Sequence, residues 1–146
     1  MRHSMRLAVL FVSLLAFDTP ATQAQAEPPP HEPGSYIVSL YHAAPGKQLD
    51  FLEWMAARAA LSKQAGVAPA MWFVHQDGDS WDYLAIAPVT TPEQDKKIEE
   101  LAKKKNLPTG FAAGLELRQY ILKHTDTFSW GPISVEELIQ AAKGGN

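Results

Sequence analysis

The chain has 146 residues, with 13 Lys and Arg against 16 Asp and Glu, and a formal net charge of −3 at pH 7. That acidic balance excludes nucleic acid as an expected partner, because the one basic cluster, Lys103-Lys104-Lys105, has no aromatic residues interleaved and suits the solvated last turn of a helix. Cysteine is absent, which excludes disulfides, thiolate nucleophiles and Cys-ligated metals together.

In chain order, positive charge at Arg2 and Arg6 precedes an apolar run from Leu7 to Phe17 that is too short to span a bilayer. Ala24-Gln25-Ala26 then supplies an A-x-A site, so residues 1–26 are expected to be a secretory signal cleaved before Glu27. The mature chain would be periplasmic or secreted, with no segment of membrane-spanning length. The alternative is an amphipathic first helix of the folded domain, but the apolar block lacks helical periodicity. Removing the signal leaves about 120 residues and a net charge of about −4, enough for one domain with a modest core.

Residues 27–34 form an expected tether, since Pro28-Pro29-Pro30 and Pro33 favour extended polyproline conformation. Residues 35–146 form the folded domain. Tyr36 to His42 is aromatic and β-branched, and Pro45-Gly46 ends it, predicting a first strand. Lys47 to Gln64 lacks Gly and Pro and spaces Phe51, Met55 and Arg58 for a helix closed by Gly66. Met71 to His75 and Trp81 to Ala87 are apolar runs flanking Asp77-Gly78, a hairpin signal. Thr91, Pro92 and Gln94 make a capping-box start for a helix to about Lys105. Phe111 to Lys123 is expected to be a further helix, because Leu117, Tyr120, Ile121 and His124 share a helical face. Thr125 to Gly131 follows as a fourth strand, and Ser134 with Glu137 caps a C-terminal helix through Ala142.

This order predicts an α+β fold: a ferredoxin-like split βαβ with a four-stranded antiparallel sheet and helices on one face, an extra helix before strand four, and a C-terminal helix. The early strands carry bulky apolar groups on both faces: Tyr36, Val38, Leu40 and His42 alternate with Ile37, Ser39 and Tyr41. The face without helices needs cover, and a second copy of the same sheet would supply it as a two-fold homodimer.

With Ala44-Pro45-Gly46-Lys47 between the first strand and helix, and His124-Thr125-Asp126-Thr127-Phe128 followed by Gly131-Pro132, the stretch from Tyr36 to Pro132 resembles the dimeric α/β-barrel superfamily. Its NIPSNAP-like and antibiotic-biosynthesis-monooxygenase-like branches are the most similar. Those proteins include cofactor-independent oxygenases, haem enzymes, isomerases and many with no assigned activity, so the resemblance implies a fold and a dimer more than a reaction. The extra helix and the C-terminal helix depart from the family plan.

Arg118, His124, Asp126 and Thr127 concentrate a permanent cation, an imidazole, a carboxylate and a hydroxyl within ten residues. One reading makes His124 a general base oriented by Asp126, with Arg118 neutralising an anionic intermediate such as an enolate. The other gives these groups local work. Asp126 or Thr125 would cap a helix-to-strand turn, His124 would favour the helix C-terminal dipole, and Arg118 would pair with Glu116 or another surface carboxylate. Trp72, Tyr83 and Trp130, together with His42, His75 and Thr127, are candidate ligand-binding residues for an aromatic or apolar small molecule. No H-x-H, H-x-x-x-H or H-E-x-x-H element supports a metal site, and no motif calls for a cofactor.

Overall fold

The computed structural model describes residues 34–144. The expected signal, and the tether as far as Pro33, lie outside the described residues. Eight elements follow in order: β1 (Gly34–Ala43), α1 (Gln48–Gln64), β2 (Met71–Val74), β3 (Tyr83–Pro88), α2 (Pro92–Lys104), α3 (Gly110–Leu117), β4 (Ile121–Gly131) and α4 (Val135–Gly144). The strands form one sheet in the order β2-β3-β1-β4, with every neighbouring pair antiparallel. Two split βαβ units interlock, since β3 lies between β1 and β2, and β1 between β3 and β4. This is the ferredoxin-like plan, with α3 inserted before β4 and α4 appended.

The pleat sorts the strand residues onto two faces. Ile37, Ser39 and Tyr41 stand beside Ala87, Ala85 and Tyr83, with Trp72 beyond on β2 and Asp126 and His124 on the other side on β4. α1 covers this face by inserting Phe51, whose ring lies 5.1 Å from Tyr41 and 5.5 Å from Tyr83. Phe51 and Leu61 are wholly buried, each burial contributing about 2–3 kcal/mol. Tyr41, Ala85 and Ile121 complete the centre of the core, with Met55, Leu117 and Tyr120 packed against it.

α2 begins with the expected reciprocal box, in which the Thr91 hydroxyl accepts from the Gln94 amide and the Gln94 side chain accepts from the Thr91 amide. It packs on α1, and the Gln94 side chain also donates to the Gly66 carbonyl at 3.2 Å. α3 is held to α1 by a polar clamp. Trp54 Nε1 donates to Glu116 at 2.6 Å, while Arg58 donates to Glu116 at 3.2 Å and to the Pro108 carbonyl at 2.7 Å. The Arg58 guanidinium also lies 4.8 Å from the centre of the Trp54 ring, a cation–π contact that fixes its orientation.

On the opposite face Tyr36, Val38, Leu40, Leu84, Ile86, Met71 and Phe73 stand together, none of them fully buried, and Phe73 is 49% exposed. No helix among the described residues is long and apolar enough to cross a membrane.

The structure corrects the bounds of expected elements in two places. The helix expected over Phe111–Lys123 stops at Leu117, and β4 starts at Ile121, four residues before the expected strand. Turn bonds from Gln119 and Tyr120 to the carbonyls of Glu116 and Leu117 close the helix, after which Ala44 donates to Tyr120 at 2.8 Å. The long β1 offers a ladder that satisfies the backbone from residue 121 onward and buries Ile121 in the core. Tertiary pairing thus overrides a helical spacing of four side chains. β3 likewise starts at Tyr83 rather than Trp81, although Asp82 stays tied to β1: its amide donates to Tyr41 at 2.8 Å and its carboxylate accepts from the Ala43 amide at 2.7 Å.

Candidate functional site

The helix-facing side of the sheet carries two adjoining features, an apolar cleft and a polar group. The cleft, about 650 Å³, opens between α1 and the β2–β3 side of the sheet. Ala87 on β3 and Ala70 just before β2 present short side chains to it. Ile37, Met55, Trp72 and Val67 wall it, and Arg58, Ser62, Lys63 and Thr90 supply its polar fringe. Volume and composition match the small-molecule sites of globular proteins, which usually hold about 300–1,000 Å³ and few polar groups.

The polar group lies across β1 and β4. Ser39 is buried, and its hydroxyl donates to Asp126 at 2.7 Å. His124 Nε2 stands 3.6 Å from the other Asp126 oxygen, close enough for an ion pair when the imidazole is protonated but too long for a hydrogen bond. Both side chains remain partly open to solvent. The Tyr41 ring lies between the two features, stacked at 6.0 Å on Trp72 and at 6.1 Å on His124. Burial pushes the Tyr41 phenol above its ordinary value of 10.0; the Ser39 hydroxyl partly offsets this, and the charge of Asp126 adds to it.

Chemically, this arrangement can take a proton on His124 and stabilise the resulting imidazolium with Asp126, which Ser39 holds in place. The strand position removes two of the local roles weighed from the sequence. His124 sits opposite Tyr41 in the ladder rather than at a helix end, and Asp126 binds a side chain from the neighbouring strand rather than capping a turn. Arg118 does not pair with Glu116, which is taken by Arg58 and Trp54; its side chain is exposed at the end of α3.

The remaining candidates disperse. Trp72 lines the cleft, and Tyr83 packs on Phe51 in the core. His42 and Thr127 point to the opposite face, paired with Lys123 and Val38. His75 follows β2, with its ring 5.1 Å from Trp81 and its buried Nε2 without a hydrogen-bond partner among the described residues. Trp130 lines a smaller recess of about 330 Å³ on the open face, with Tyr36, Val38, Met71 and Ile86. Among the described residues, no three His, Asp or Glu side chains converge as a metal site would require. The sequence did not single out Ser39, Met55 or Arg58 as site residues. Ser39 was signalled only by its hydroxyl among the apolar Ile37, Val38 and Leu40, two residues from Tyr41 and so on the same face.

No family model and no curated protein matches the chain. Several solved structures are similar at low identity. Protein Atu4242 from Agrobacterium tumefaciens is 11% identical with a TM-score of 0.46, covering 69% of this chain and 95% of its own. A dimeric ferredoxin-like protein from an uncultured marine organism is 10% identical with a TM-score of 0.44, covering 71% and 91%. SnoaB, a cofactor-independent oxygenase from Streptomyces nogalater, is 17% identical with a TM-score of 0.44, covering 69% and 94%.

Proposed function

We propose that this protein is an exported homodimer, paired through its open sheet face, that binds an apolar or aromatic small molecule between α1 and the sheet. The cleft carries this reading: one contiguous apolar space of about 650 Å³, walled by Trp72, Met55 and Ile37 and open to solvent along α1. The NIPSNAP-like and monooxygenase-like resemblance is compatible with such a cleft but assigns no ligand to it.

A neutral aromatic dye, phenylnaphthylamine, tests the reading by fluorescence titration. Ala59 lines the cleft from an exposed position on α1, so Ala59→Phe fills the space without disturbing the core. The substitution is expected to weaken binding about tenfold or more, equivalent to about 1.4 kcal/mol, while circular dichroism stays unchanged. Unaltered binding would place the dye elsewhere and end the reading.

A second reading is favoured by the bond from Ser39 to Asp126 beside His124: proton abstraction from the bound molecule, in a cofactor-independent oxygenase or isomerase. His124 would be the base, Asp126 its counter-charge, and the exposed Arg118 the cation that neutralises an anionic intermediate. A panel of enolisable aromatic ketones, followed by oxygen uptake and proton exchange, separates the two. Turnover lost in His124→Asn with dye binding intact supports an enzyme. Binding without turnover of any ketone supports a non-catalytic binding module.

A further inference from the structure

The polar fringe of the cleft carries charge of one sign. Among the described residues Arg58 and Lys63 line it and no carboxylate does, although the chain as a whole is acidic. The two cations differ in how far they are already satisfied. Arg58 is committed to Glu116 at 3.2 Å and to the Pro108 carbonyl at 2.7 Å. Lys63, exposed in the last turn of α1, has no ion pair among the described residues, and Ser62 adjoins it on the lining. Besides Glu116, the partner of Arg58, Asp95 is bonded to the lining, accepting from the Thr90 hydroxyl at 2.5 Å. Asp95 does not itself line the cleft.

We infer that the ligand of this cleft is an amphipathic anion, with an aromatic or apolar body against Trp72, Ile37 and Met55 and a carboxylate-like charge at Lys63 and Ser62. The inference rests on the proposed cleft reading and adds the chemical class of its ligand. Apolar walls supply most of the affinity for such a molecule, and the cation at the mouth fixes which end enters. The negative charge of the whole protein opposes any anion, so a preference for one can arise only from these local cations.

Two dyes that differ by one charged group decide the matter. Anilinonaphthalene sulfonate adds a sulfonate to the phenylnaphthylamine framework, and both are titrated against the native protein, Lys63→Gln, Lys63→Arg and Ala59→Phe. The sulfonate is expected to bind about three- to tenfold more tightly than the neutral dye, the range of a partly exposed ion contact. Lys63→Gln should bring the ratio close to one, Lys63→Arg should restore it, and added salt should shrink it in the native protein.

A neutral dye bound at least as tightly as the sulfonate, or a ratio unchanged by Lys63→Gln, overturns the inference. If Ala59→Phe blocks the neutral dye while the ratio stays at one, only the anion inference fails. If Ala59→Phe leaves the neutral dye bound as before, the cleft reading fails and the inference falls with it.

Discussion

Phe51→Ala removes the side chain on which the helix-facing side of the sheet is organised. Phe51 is wholly buried, and its ring lies 5.1 Å from Tyr41, 5.5 Å from Tyr83 and 6.4 Å from Trp72. Deleting a ring from such a place loses its transfer free energy and leaves a void, together about 3–5 kcal/mol. The upper half of that range is expected, since α1, pinned by the Trp54 and Arg58 bonds to α3, resists collapse into the cavity. For a domain of this size the loss should lower Tm by roughly 10–20 °C. Urea unfolding followed by circular dichroism, at one fixed protein concentration, measures it as a fall in midpoint at constant slope. A loss below about 1.5 kcal/mol would contradict the assignment of Phe51 to the centre of the core.

Further outcomes follow from the open face and from the buried phenol. Leu40→Lys with Phe73→Lys places charge in the middle of the uncovered sheet face and should convert the proposed dimer into a monomer by light scattering; a native protein that is already a monomer, or a dimer mass unchanged by the substitutions, would contradict pairing through this face. Tyr41 in the folded chain titrates above its ordinary 10.0, so the unfolded chain releases that proton first as pH rises. Its stabilising contribution is complete below about pH 10 and is lost as pH climbs through the folded value. Tyr41→Phe should therefore flatten the alkaline limb of the stability curve, and an alkaline limb unchanged by the substitution would contradict the assignment.

Much of the fold was legible because its signals are local. Thr91 with Gln94 and Ser134 with Glu137 announce helix starts through their own side chains, and both boxes are present. Asp77-Gly78 marks the hairpin in the same way. The segment from Leu117 to His124 was illegible for the opposite reason: its strand exists only because β1 extends to Ala43 and pairs with it, a contact across about eighty positions of sequence. The site divides along the same line. His124 and Asp126 were visible as chemistry, but their partner Ser39 lies 87 residues earlier and becomes a partner only through strand register. The cleft was least visible, because its lining comes from β1, α1, β2, β3 and the loop before β2, which only the tertiary fold brings together.

Met55 and Met71 give the most direct test of the central claim, since Met55 lines the helix-side cleft and Met71 lines the recess on the open face. With methyl-labelled methionine, phenylnaphthylamine is titrated into the protein while both methyl resonances are followed. The account predicts that the Met55 methyl shifts with saturation and that the Met71 methyl stays in place. Movement of Met71 with Met55 unmoved would contradict it and put the ligand on the other side of the sheet.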